Sequence, residues 1–149
     1  MMPARPRVAV VGSGAWGTTL ALLVARSEPV TLLCHSPETA ARLGVERRNE
    51  RRLPGVDLPP AIEVTADPAA LDGAELVVVA VPSTHLRAEM TRLAPLIPGS
   101  ADVLSVVKGL ERGTLQLGGE LAAGDDDERA DGEVGAGLQA AADLDAVEI

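Results

Sequence analysis

Four apolar residues, Val8-Ala9-Val10-Val11, run directly into Gly12-Ser13-Gly14-Ala15-Trp16-Gly17 and then into an apolar-rich stretch ending near Arg26. No other part of the chain restricts its fold as strongly. An unbroken run rich in β-branched residues is what a strand covered on both faces requires, as in a parallel sheet between helices. Gly12, Gly14 and Gly17 follow with G-x-G-x-x-G spacing. The first glycine permits a tight turn, the second lets backbone approach a pyrophosphate, and the third lets the new helix pack closely on the strand. The helix aims unpaired N–H groups and its positive dipole end at that place. Glycine spacing of this kind also occurs in ordinary strand-to-helix turns. The strand before it and the helix after it give it a dinucleotide-binding meaning. Trp16, Leu20, Leu23 and Val24 share one face at helical spacing, which predicts burial of that face.

The rest of the chain repeats this alternation. Val30–Cys34 reads as a second strand, Ser36-Pro37 as the cap and first turn of a helix over 38–48, and 49–60 as a proline-containing loop. Ile62–Thr65 reads as a short peripheral strand, and Asp67-Pro68 as the cap of a brief helix over 69–71. Leu76–Val81 is the strongest strand, continuous and apolar, and is expected to be central; a helix over 84–94 and a fifth strand over 103–107 follow. Strands alternating with helices at this spacing predict an α/β fold, a Rossmann-like doubly wound parallel sheet. Ligands of such sheets bind outside the carboxyl ends of the strands, where the strand order reverses. Gly12, His35, Pro82 and Lys108 all follow such ends and are expected to converge on one crevice.

Charge separates the chain into two parts. Residues 1–112 hold twelve acids and twelve bases, whereas 113–149 hold ten acids and one base, so the entire net charge of −9 lies in the C-terminal part. That balance argues against a nucleic-acid partner. Gly118-Gly119, Gly124 and Asp125-Asp126-Asp127-Glu128 interrupt any periodicity. Low hydrophobicity and high charge cannot offset chain entropy by burial. The expected organisation is therefore a single dinucleotide-binding domain over 1–117 and a disordered acidic tail over 118–149. With no Phe, no Tyr and one Trp, the core must be built from Val, Leu, Ile and Ala. Cys34 is the only cysteine, which excludes an internal disulfide and fits a reducing compartment. No stretch has signal-peptide character or approaches the roughly 20 apolar residues needed to span a bilayer. A cytoplasmic protein without a membrane partner is expected.

Several polar residues are candidates for chemistry. An NAD site ordinarily places an acid at the end of the second strand, on the ribose 2′-hydroxyl. Here that place holds Cys34-His35-Ser36, with no carboxylate before Glu38. The missing acid, with His35 and the arginines at 42, 47, 48, 51 and 52, favours NADPH over NADH. Two readings stay open for these residues: contact with the adenosine end, or a solvated histidine beside an exposed charged helix face. Lys108 is the only lysine and directly follows a predicted strand; it reads as a ligand cation or as a surface lysine at a strand end. Ser83 and His85 can line the crevice, although capping of the following helix by Ser83 or Thr84 is the favoured reading.

Taken together, Gly12-Ser13-Gly14-Ala15-Trp16-Gly17-Thr18, His35-Ser36-Pro37-Glu38, Arg52-Leu53-Pro54-Gly55-Val56, Val79-Ala80-Val81-Pro82-Ser83 and Val106-Val107-Lys108-Gly109-Leu110-Glu111 resemble the bacterial NAD(P)-dependent glycerol-3-phosphate dehydrogenases. The five motifs stand in the family's order and spacing, and the resemblance covers residues 7–117, the family's N-terminal half. The Lys108-Gly109-Leu110-Glu111 turn speaks against a ketopantoate-type reductase. The resemblance implies reduction of dihydroxyacetone phosphate to sn-glycerol 3-phosphate for phospholipid synthesis. It implies a nicotinamide dinucleotide as cofactor, for which the residues after the second strand favour NADP(H) with NAD(H) as the alternative, and a phosphorylated small molecule as substrate; a homodimer stays open. It implies cofactor contacts from Ala15, Trp16, His35 and Arg52, the last standing where the family often has an aromatic residue. Ala15 departs from a frequent serine. Lys108 is implied to meet both cofactor and substrate. The candidate cofactor-binding residues are thus Gly12, Ser13, Gly14, Ala15, Trp16, Gly17, His35, Arg52, Pro82 and Lys108, with Lys108 also binding substrate. No metal ligand is expected. The family's proton-transfer lysine belongs to a helical substrate domain, which the acidic ending does not resemble. The expectation is therefore a truncated form without a catalytic residue of its own, and the competing function is an NADP(H)-binding module or inactive fragment.

Overall fold

A computed structural model describes residues 7–107. Five parallel strands form the sheet: β1 (Val8–Val11), β2 (Val30–Leu33), β5 (Ile62–Thr65), β6 (Leu76–Val79) and β7 (Asp102–Ser105). Their order is β5-β2-β1-β6-β7. The chain thus builds outward from β1 to one side, then crosses over and builds outward to the other, which is the doubly wound arrangement. β1 is the central strand and is buried at all four positions. β6 lies one place from the centre, in register with β1 on one side and β7 on the other. This strand, expected to be central, is thus an interior strand with a neighbour on either side, while β1 takes the middle.

Alternate residues of β1 enter two different cores, as strand pleating demands. Val8 and Val10 join Ala21 of α1 (Ala15–Val24) and Leu43 of α2 (Pro37–Glu46) on one face. Ala9 and Val11 join Leu86, Met90 and Leu93 of α3 (Ser83–Leu93) on the other. The buried hydrophobics are Val, Leu, Ile and Ala, joined by Cys34 and Met90. Ser36 caps α2 through its hydroxyl, which accepts from the Thr39 amide at 3.2 Å, with Pro37 in the first turn. Asp67 caps the 3-10 turn Pro68–Leu71 in the same way, accepting from the Ala69 amide at 3.0 Å.

Three expectations are corrected. Trp16 and Leu23 are exposed on α1, at 51% and 53%, and the buried residues of that helix are Gly17, Thr18 and Ala21. The helix lies too close to the sheet for large side chains beneath its axis, so the smallest residues form its inner stripe while Leu20 and Val24 pack beside it. Residues 49–60 are not a loop throughout: β3 (Arg48–Asn49) pairs antiparallel with β4 (Leu53–Asp57) in a two-stranded hairpin. The hairpin is closed by the Arg52 amide donating to the Asn49 carbonyl at 3.0 Å and by an ion pair between Arg48 and Asp57. Helix α3 has no side-chain cap; Pro82 occupies the capping position, so neither Ser83 nor Thr84 fills that role. Lys108, the boundary at 117/118 and the acidic tail lie outside the described residues.

Candidate functional site

The glycine turn follows from steric necessity at two of its three glycines. Gly12 has φ +107, a conformation that side chains disfavour, and a Cβ there would stand 2.6 Å from the Ala80 carbonyl oxygen. A Cβ on Gly17 would overlap the Gly12 carbonyl oxygen. Gly14 differs, since a Cβ there would meet nothing within 4 Å. Its space is open because the turn faces a cavity, not because the fold has left it loose. Gly14 is also the N-cap of α1 and supplies no side-chain cap. The amides of the first turn therefore have no partner in their own helix and point their dipole end outward.

The cavity in front of this turn holds about 600 Å³ and lies at the carboxyl ends of β1, β2 and β6. Gly12, Ser13 and Gly14 form its floor, Leu33 to Ser36 one wall, and Ala80 to Pro82 the other. Glu38, Thr39 and Arg42 of α2, Asn49, Arg51 and Arg52 of the hairpin, and His85, Glu89 and Arg92 of α3 complete the rim. The location is the switch point, where β1 has one neighbour from each direction of winding. A second concavity of about 570 Å³ runs between α2 and β5, lined by apolar residues, by Thr65 and by a single charged residue, Asp67. It offers no cation.

Of the candidate residues, Gly12, Ser13, Gly14, His35, Arg52 and Pro82 meet at this one cavity. Gly17 is buried directly beneath it. Ala15 and Trp16 occupy the exposed first turn of α1 beside the cavity without lining it. Lys108 follows Val107 and lies outside the described residues. The arginines divide. Arg42, Arg51 and Arg52 reach the rim. Arg47 instead takes φ +50 at the end of α2 and donates to the carbonyls of Leu58, Pro59 and Ile62 at 3.3, 2.6 and 3.0 Å. It is a structural clamp. Arg48 is committed to Asp57, which raises its pKa by hydrogen bonding and charge.

Charge at the rim is mostly positive, and two cations are already partnered. Arg42 bonds Glu46 at 3.3 Å, and Arg92 bonds Glu89 at 2.7 Å. Arg51 and Arg52 form no ion pair among the described residues. Glu38 is the one carboxylate on the β2 side. Cys34 is buried in the wall, and burial pushes its thiol pKa up, only partly opposed by a Ser13 hydrogen bond and the Arg42 charge. The thiol therefore stays protonated and acts as packing. Among the described residues no group of acids, histidines and cysteines could hold a metal ion, and no helix is long and apolar enough to cross a membrane.

Sequence reasoning passed over Asn49, Thr39 and Arg92. Asn49 stands alone among arginines, with no periodicity to show that it turns inward. It is nevertheless only 1% exposed, and its Nδ2 donates to the Ser13 carbonyl at 2.9 Å and to Thr18 Oγ1 at 2.8 Å. Arg92 is visible in sequence only as a charge near the end of a helix.

Known proteins share this architecture and sequence. The family described as NAD-dependent glycerol-3-phosphate dehydrogenase N-terminus matches residues 7–131. A glycerol-3-phosphate dehydrogenase [NAD(P)+] 2 from Mycobacterium tuberculosis is 46% identical over 110 residues, covering 72% of this chain and 33% of the relative. One from Nocardia farcinica is 47% identical over 116 residues, covering 73% and 34%. The crystal structure of glycerol-3-phosphate dehydrogenase from Coxiella burnetii superimposes with a TM-score of 0.74 at 31% identity, covering 80% of this chain and 37% of that one. The chain thus spans about a third of the length of the relatives it matches. With the fold, the glycine turn and the sequence in agreement, this chain belongs to the NAD(P)-dependent glycerol-3-phosphate dehydrogenase family and carries that family's N-terminal domain.

Proposed function

We propose that the cavity binds NADP(H), or NAD(H) less tightly, as the cofactor part of a dehydrogenase that interconverts dihydroxyacetone phosphate and sn-glycerol 3-phosphate. The observation that carries this reading is the free space at Gly14 in front of the unpaired first turn of α1. A pyrophosphate accepts from such amides and is favoured by the helix dipole. The wall from Leu33 to Ser36 then takes the adenosine end, with His35, Arg51 and Arg52 as donors toward a 2′-phosphate. Pro82 and His85 border the opposite end, toward the nicotinamide, which supplies the hydride. Glu38 is the counterweight, since a carboxylate near the ribose favours a hydroxyl over a phosphate. Arg42, Arg51 and Arg52, the guanidinium groups on the same side of the rim, outnumber it.

Lys108 is proposed to bind substrate phosphate or carbonyl beside the nicotinamide, on the strength of the Val107-Lys108-Gly109-Leu110-Glu111 motif. Hydride arriving at a ketone leaves negative charge on its oxygen, so a proton donor must stand within about 2.6–3.2 Å. The resemblance assigns that donor to the substrate domain. A polypeptide limited to residues 1–149 is therefore expected to bind cofactor without turning over dihydroxyacetone phosphate. Isothermal calorimetry with NADPH, NADH and ATP tests the reading. Saturable one-to-one binding of NADPH, tighter than NADH and much tighter than ATP, is expected. Equal heats from ATP would show a general nucleotide or anion surface instead.

A further inference from the structure

The geometry points to Asn49 as the residue that positions the phosphate turn against the arginine hairpin, and so sets the distance between the two ends of the cofactor site. The inference rests on the dinucleotide reading above.

Asn49 lies in β3, outside the sheet that carries the glycine turn, yet its side chain is almost wholly buried and reaches 36 residues back in sequence. Its two donated bonds end on the Ser13 carbonyl, in the middle of the turn, and on Thr18 Oγ1, in the helix that follows. A carbonyl can only accept, so the amide nitrogen must face Ser13 and the orientation of Asn49 is fixed. That leaves Oδ1 buried with no hydrogen-bond partner among the described residues. A buried, unpartnered carbonyl is costly, and an apolar residue of similar volume would avoid that cost. The Oδ1 atom therefore gives no reason for asparagine here. The side chain's donors give one. The same residue's backbone carbonyl accepts from the Arg52 amide at 3.0 Å. Through Asn49, the floor of the cavity and the hairpin bearing Arg51 and Arg52 become one rigid piece.

The test uses Asn49→Leu, which keeps the volume and removes both donors, with Arg52→Ala alone and combined. Affinities for NADPH are measured by calorimetry well below the unfolding midpoint, and stability by circular dichroism. Asn49→Leu leaves the Ser13 carbonyl and the buried Thr18 hydroxyl without their donor, so it should unfold at a lower temperature; well below that midpoint it should bind NADPH roughly 10-fold more weakly, the effect of misplacing one or two hydrogen bonds. Arg52→Ala should weaken binding in the wild-type background and have little further effect beside Asn49→Leu, because coupled residues are not additive. If Asn49→Leu fails to fold, Thr18→Val carries the test, since it deletes one acceptor; it should weaken binding by about 3-fold, and Thr18→Ser should restore it. Unchanged NADPH affinity in the folded variant, or strictly additive effects of Asn49→Leu and Arg52→Ala, would overturn the inference and leave the dinucleotide reading standing. Failure of the wild-type chain to bind either dinucleotide would overturn both.

Discussion

The two sides of the cavity are built by opposite means. The floor, from Gly12 to Gly17, is backbone held in place by close contact, with the Gly12 amide bonded to the Leu33 carbonyl at 2.9 Å and Gly17 pressed against the turn. The hairpin rim is made of long charged side chains on a two-stranded ribbon, largely exposed and joined to the floor through Asn49. Close-packed backbone has no alternative position, so the floor is specified to a fraction of an ångström. Guanidinium groups on flexible stems are specified by charge and reach. Substitutions in the floor should therefore act all or none, whereas those in the rim should shift preference by degrees.

Gly17→Val gives the strongest test of that difference. Its side chain would be driven into the Gly12 carbonyl, and overpacking against backbone should cost about 3 kcal/mol or more of folding stability. Urea unfolding checks this; a stable variant would mean that α1 can lift from the sheet. Gly14→Val separates fold from binding within the same turn. Unfolding should be nearly unchanged, because nothing occupies the space, while NADPH affinity should fall roughly 100-fold, or about 2.8 kcal/mol at about 1.4 kcal/mol per tenfold. His35→Asp addresses the rim. It replaces a donor by an acid at the end of β2, and loss of a charge-assisted bond of about 1.5–3 kcal/mol should turn a preference for NADPH toward NADH. An unchanged ratio of the two affinities would remove His35 from the 2′-phosphate site.

The smallest effect belongs to Cys34, which lies between the two regions. Burial raises its thiol pKa in the folded state. In alkaline solution the unfolded chain ionises first, so the folded state binds the extra proton and stability must fall as pH rises past the ordinary thiol range. Below that range both states are protonated and no dependence arises. Cys34→Ala should flatten the alkaline limb of a stability–pH curve, and a limb of unchanged slope would place its origin elsewhere.

The contrast also explains what could be read from sequence. The strands were legible because apolar runs such as Val8–Val11 and Leu76–Val79 have one reasonable use, and the glycine spacing located the floor. The inner face of α1 was not legible. Hydrophobicity points to Trp16 and Leu23, while close approach selects Gly17, Thr18 and Ala21, and no propensity scale contains that distance. The hairpin was hidden for a related reason. Leu53-Pro54-Gly55-Val56-Asp57 lacks strand alternation, and its pairing comes from Arg48 with Asp57 and from the turn at Arg52. Arg47 looked like one more member of a basic cluster. Its role as a clamp depends on carbonyls 11 to 15 residues away.

The exposed position of Trp16 has an optical consequence. It is the only indole in a chain without tyrosine or phenylalanine, so nearly all intrinsic near-ultraviolet fluorescence originates from the first turn of α1. An indole already half in water in the folded state changes its surroundings little on unfolding. Emission will therefore be a poor thermometer of the core and a sensitive reporter of what arrives beside the glycine turn. Quenching on addition of a nicotinamide dinucleotide, with no change in far-ultraviolet ellipticity, would be a local signal from that turn, free of background from any other aromatic ring.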